Sequence, residues 1–230
     1  MNTIAHHLQQ VQDRIAKAAS ECGRHPDEVG LLAVSKTKPA PAVEAAYAAG
    51  QRQFGENYVQ EAIEKIQALK DKYPDIVWHL IGPLQSNKSR LVAEHFDWVQ
   101  TLDRLKTAQR LSAQRPAGLP PLNVCLQVNI SGEASKSGLA LAEVPALAEE
   151  VARLPGIRLR GLMAIPEATD DGEALRAQLL ELKQLFDRMA EKYPGIDTLS
   201  MGMSNDLELA VACGSTLVRV GTAIFGSRNP

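Results

Sequence analysis

The chain carries two hydrophobic rhythms. Over residues 3–21, Ile4, Leu8, Val11, Ile15 and Ala18 recur at helical spacing, and Asn2 or Thr3 can cap the start. His6 and His7 are neighbours in this stretch, point to different faces and read as solvated. From Gly30 onward, short apolar runs alternate with longer amphipathic ones. LLAVSK (31–36), QFG (53–55), IVWHLIG (76–82), DWVQTL (97–102), LNVCLQVNI (122–130), IRLRGLMAI (157–165), DTLSMG (197–202) and STLVRVG (215–221) read as eight strands. Residues 39–50, 56–72, 86–95, 103–115, 141–154, 172–193 and 205–214 read as the helices between them.

Alternation of this kind means parallel strands joined by helical crossovers. Two architectures satisfy it, an open doubly wound sheet and a closed barrel. The strand at 122–130 favours the barrel. Leu122, Val124, Leu126, Val128 and Ile130 share one parity, while Asn123, Cys125, Gln127 and Asn129 share the other. A parallel strand of an open sheet is apolar on both faces, whereas a polar inner face suits a lumen beneath a polar site. The expected fold is therefore an α/β, single (β/α)8 TIM barrel with an extra N-terminal helix over residues 1–21. The 230 residues divide into eight units of about 29 residues, near the usual barrel size. We expect one domain over 1–230, with no length left for a second.

Composition narrows the function. With 25 Lys and Arg against 27 Asp and Glu, the net charge is −2. General nucleic-acid and membrane-surface binders usually carry a basic excess, so neither partner is expected. Cys22, Cys125 and Cys213 lie far apart, form no CxxC pair and are odd in number, which argues against a zinc ribbon or a disulfide framework. The N-terminus has no apolar signal core, and no run of about 20 apolar residues exists. A cytoplasmic protein, without metal and monomeric, is the expectation.

In such barrels, chemistry collects at the C-terminal ends of the strands. Those ends deliver Lys36, Asn57, His79, Met163, Ser200 and Arg219, then Gly221 and Thr222. Lys36 shares parity with Leu32 and Val34. A lysine near the lumen loses hydration, its pKa falls, and it becomes a nucleophile for an aldehyde; the alternative is an exposed strand-end lysine. Lys38 is its local competitor. SMGMSND places Ser200, Gly202 and Ser204 before a helix whose Asn205 and Glu208 are spaced as a capping box. With Gly221 and Thr222, this forms either an anion site of glycine amides and hydroxyls or ordinary turn chemistry. Arg219 is either a structural ion pair or a donor to a ligand's ring nitrogen or acid. His79 is a base, a stacking partner or a core histidine.

LLAVSKTKP, FGENYVQE, WHLIGPLQSNKSR, GLMAI, LSMGMSNDLELA and VRVGTAIFG occur in this order between about residues 30 and 226. Together they resemble the pyridoxal phosphate homeostasis protein family, itself similar to the N-terminal barrel of alanine racemase. The resemblance implies pyridoxal 5′-phosphate (PLP) as cofactor, held as a Schiff base on Lys36. It further implies a phosphate held by Ser200, Gly221 and Thr222, a pyridine nitrogen faced by Arg219, and a cofactor lined by Asn57 and His79. It implies a role in vitamin B6 homeostasis as carrier or regulator rather than catalyst, with PLP-dependent apo-enzymes as partners. A weak amino-acid racemase and a cofactor-free Schiff-base aldolase are the competing readings. The racemases draw their second acid/base from a C-terminal domain, for which 230 residues are expected to leave no room.

Overall fold

The computed structural model describes residues 3–131, 137–166, 169 and 171–227. Its strands are β1 Gly30–Val34, β2 Gln53–Glu56, β3 Val77–Leu80, β4 Trp98–Leu102, β5 Leu122–Val128, β6 Ile157–Ala164, β7 Thr198–Ser200 and β8 Leu217–Val220. Each pairs in parallel with the next, and β8 returns to β1, so the sheet closes as the strand pattern predicts. The helices are α1 Ile4–Glu21, α2 Ala40–Ala48, α3 Val59–Leu69, α4 Ser89–His95, α5 Leu105–Gln114, α6 Val144–Ala152, α7 Gly172–Lys192, α8 Leu207–Ala212 and α9 Thr222–Phe225.

Strand parity builds two separate interiors. Leu31 and Ala33 join the large core between sheet and helices, whereas Leu32 packs with Ile81, Leu217 and Val34 in a small lumenal cluster. On β5, Leu122, Val124, Leu126 and Val128 enter the outer core. Cys125, fully buried yet outside that core, faces the lumen as its parity requires. The polar face of β5 is thus the inner one.

Helix α1 lies across the ends of the chain's last two βα units. Leu8, Val11 and Ile15 are its buried stripe, set against α8 and α9. Thr3 Oγ1 accepts the His6 N–H as the cap; Asn2, the other candidate, lies outside the described residues. Arg14 donates to both Glu208 carboxylate oxygens and to the Ser204 carbonyl. His7 is only partly solvated, and its Nδ1 lies 3.1 Å from the Ile224 carbonyl oxygen.

Several boundaries differ from the sequence reading. Strand β1 ends at Val34, so Lys36 stands on the turn beyond it. Helix α8 starts at Leu207, and the Asn205–Glu208 capping box does not form. Glu208 is drawn to Arg14, and Asp206 Oδ1 accepts the Met203 N–H instead. The short α9 was not predicted. Four residues are too few to display a helical period.

No helix among the described residues is long and apolar enough to cross a membrane. The three cysteines are free thiols.

Candidate active site

Strand order decides which predicted residues meet. The sequence β7–β8–β1–β2 runs consecutively around the barrel. Ser200 ends β7, Arg219 lies on β8 with Gly221 and Thr222 just beyond, Lys36 follows β1, and Asn57 follows β2. Met163 on β6 pairs in register with Ser200 and is fully buried. A β-carbon on Gly221 would sit 3.2 Å from the Val34 carbonyl oxygen and 3.3 Å from its Cβ. A bare glycine therefore lets the end of β8 lie against the end of β1, two residues before Lys36. Thr222, exposed, opens α9, where the first N–H groups have no partner within the helix.

Lys36 is half-buried at this mouth. Thr37 beside it has φ +62°. A β-branched residue in the left-handed region costs about 1–3 kcal/mol and persists only where neighbours enforce it. Lys38, the competing lysine, donates from Nζ to the Ser227 carbonyl oxygen at 2.7 Å. Asn57 packs its backbone against Gly82, and its Oδ1 is buried with no hydrogen-bond partner. Asn57, Ile81, Gly82, Thr101, Gln127 and Ile165 border a cavity of about 570 Å3 on this rim.

Beneath the mouth runs a chain of buried polar groups. Arg219 Nη1 donates to Ser200 Oγ at 2.7 Å, and Ser200 Oγ donates to Gln100 Oε1 at 2.6 Å. Gln100 Nε2 lies 2.9 Å from His79 Nδ1. Arginine has no acceptor, so each bond is directed downward. With Gln100 placed this way, His79 Nδ1 accepts and the ring proton sits on Nε2, which is buried without a partner. Arg219 Nη2 donates to the Ala164 carbonyl oxygen at 2.7 Å. The guanidinium is thus held by neutral oxygens, and burial lowers its pKa to about 10, against the opposing pull of Asp206. Of the two readings of Arg219, a direct ion pair does not form among the described residues.

His79 is not at the mouth. It pairs in register with Trp98 at the start of β4, its ring stacks on that indole at 5.0 Å, and it borders a cavity at the opposite, N-terminal end of the barrel. Burial, and secondarily the Arg160 charge, pushes its pKa down to about 3, so the ring is neutral. Its reach toward the mouth passes through Gln100 and Ser200. Cys125, inside the same lumen, is pushed up to about 12 by burial, which leaves it a thiol. Ser200 is fully buried and engaged on both sides, so the freer hydroxyl at the rim is that of Thr222.

Sequence reasoning passed over Gln100, although a glutamine between Val99 and Leu102 in DWVQTL was the visible signal. It also passed over Glu56, Glu61 and Lys65, whose side chains gather beside the Lys36 turn. Among the described residues no group of three or more His, Cys, Asp or Glu could hold a metal.

Known proteins resemble this chain in sequence and fold. The profile of the family described as alanine racemase, N-terminal domain, matches residues 6–229. The pyridoxal phosphate homeostasis protein of Escherichia coli K12 is 59% identical over 230 residues, covering 100% of this chain and 98% of that one. The chain belongs to the pyridoxal phosphate homeostasis proteins, within the alanine racemase N-terminal domain family. The structure of PipY from Synechococcus elongatus PCC7942 with PLP bound superposes with a TM-score of 0.79 at 41% identity, covering 92% of this chain and 100% of that one. An alanine racemase of Clostridium difficile 630 shares the fold with a TM-score of 0.78 at 16% identity, and the match spans 99% of this family member but 57% of the racemase.

Proposed function

We propose that this chain binds PLP covalently through Lys36 and serves vitamin B6 homeostasis as a cytoplasmic, monomeric carrier or regulator for PLP-dependent apo-enzymes. Residues 1–230 form, in this reading, one cofactor-binding domain. The observation that carries it is the meeting of Lys36, Gly221 and Thr222 at one mouth, above the buried guanidinium of Arg219. The name of the 59% identical relative and the PLP in PipY support the same cofactor.

The donor set fits the group. An aldehyde needs an amine, which Lys36 supplies at the turn after β1. A phosphate needs N–H and hydroxyl donors, which Gly221 and Thr222 place beside that turn, with Ser200 one layer below. Asn57 Oδ1, buried and unpaired, is an acceptor left for a ligand. PLP, when bound, supplies an electron-withdrawing pyridine ring conjugated to the captured amine.

Arg219 argues for a carrier. It donates and cannot accept, and its charge opposes a second positive charge nearby. Arg219 would keep a ring nitrogen placed against it unprotonated, and so weakly electron-withdrawing. Arg219 keeps its own protons, because Ser200 Oγ and the Ala164 carbonyl oxygen both depend on them. Neither lumenal candidate supplies a second acid/base, since His79 is neutral below the mouth and Cys125 remains protonated.

Incubation of the PLP-loaded protein with single amino-acid enantiomers tests the carrier role. Optical purity is expected to persist, while apo-enzyme added to the loaded protein gains activity. Racemisation at order 1 s⁻¹ or faster would make the protein an enzyme.

A further inference from the structure

The turn carrying Lys36 is pinned by a buried ion cluster lying outside the expected cofactor contacts. Lys65, on α3, has a side chain only 7% exposed. Its Nζ donates to the Ser35 carbonyl oxygen at 2.8 Å, to Glu56 Oε1 at 2.8 Å and to Glu61 Oε1 at 2.6 Å. An ammonium has three donors, so all are used. The same Glu61 oxygen accepts the Thr37 N–H at 2.6 Å, and Ser35 Oγ donates to Glu56 Oε1 at 2.6 Å.

These contacts bracket one residue. The Ser35 carbonyl belongs to the peptide group before Lys36, and the Thr37 N–H to the peptide group after it. Two fixed peptide planes determine the φ and ψ of the residue between them. Thr37, at φ +62°, is the position where the backbone resists this arrangement, and the cluster holds it there. One buried cation and two carboxylates therefore set the direction in which the Lys36 side chain leaves the backbone.

We propose that Lys65, Glu61 and Glu56 are positioning residues that aim Lys36 at the cofactor aldehyde. This rests on the reading of Lys36 given above. The cluster also touches neither the Gly221–Thr222 segment nor Arg219 in any described contact, so it should govern capture of the aldehyde separately from retention of phosphate and ring.

Two ligands separate those effects. PLP reports capture on Lys36, while pyridoxine 5′-phosphate, an alcohol in place of the aldehyde, reports the rest of the pocket. In Lys65→Met and Glu61→Ala, the rate of PLP capture should fall at least about tenfold, since ångström-scale misplacement of a reacting group costs rates of that order. Affinity for pyridoxine 5′-phosphate should stay near the wild-type value. Glu61→Gln restores an acceptor for the Thr37 N–H and should recover most of the capture rate. Should Lys65→Met not fold, the Glu61→Ala and Glu61→Gln pair decides alone, because Glu61 is partly exposed. Unchanged capture in Glu61→Ala, or parallel loss of both ligands, overturns the proposal. A wild-type protein with no cofactor on Lys36 overturns the reading beneath it as well, whereas normal wild-type capture beside unaffected variants overturns the positioning role alone.

Discussion

Arg219 concentrates the chemistry in one side chain. A buried guanidinium without a carboxylate partner is costly, and here neutral oxygens of Ser200 and Ala164 offset part of that cost. The arrangement leaves N–H donors for a ligand and no proton acceptor. Replacing the cation by an acceptor should invert this, so in Arg219→Glu the ring nitrogen of bound, isotopically labelled PLP should become protonated in its nitrogen NMR spectrum. An unchanged shift would detach Arg219 from the ring. His79 yields a second prediction at this scale. Its folded pKa of about 3 lies below the ordinary value of 6.5. As pH falls below 6.5, the unfolded chain binds a proton that the folded chain refuses, so stability from the neutral ring is complete above pH 6.5 and drains away toward pH 3. Urea unfolding at about pH 7 and about pH 4 should show wild type losing more stability than His79→Gln. Equal losses would contradict a buried neutral His79. Strand orientation was legible in sequence: parity puts Leu32 and Val34 on one side, and both prove lumenal, whereas Lys36, on the turn beyond β1, lies past the reach of that parity. Depth was not legible. His79 occupies the N-terminal layer because β3 is short and registered against the first residue of β4, and register is a property of strand pairs.

Elements place these residues through close backbone approach. Strands β5, β6 and β7 meet at an irregularity between Val124 and Cys125, where Gly161 faces Thr198. A β-carbon on Gly161 would run into the Thr198 carbonyl oxygen. Gly161→Ala should therefore cost ~3 kcal/mol or more, since backbone cannot yield as a side chain can, and chemical denaturation would show it. A loss under 1 kcal/mol would mean that the strands are not this close. The alternation of strands and helices was legible from hydrophobic period alone, and the β5 face pattern correctly selected a barrel over an open sheet. What escaped were features made by distant partners. Glu208 forgoes a capping box because Arg14, 194 residues away in sequence, claims its carboxylate. His7 is drawn partly from solvent by the Ile224 carbonyl in the same manner.

At the scale of the molecule, the barrel acts as a frame that brings four consecutive strand ends to one mouth while a directed hydrogen-bond chain stiffens the lumen beneath. Helix α1 ties this frame to the segments after β7 and β8 through Arg14 and His7, so its buried stripe supports the mouth as well as the fold. The central claim is that Lys36 is the residue that takes the cofactor. Its most direct measurement is borohydride reduction of the PLP-treated protein followed by peptide mass mapping. The account predicts one pyridoxyl-sized adduct on Lys36, absent from Lys36→Ala and retained in Lys38→Ala. An adduct that survives Lys36→Ala, or a wild-type protein with none at Lys36, would contradict it.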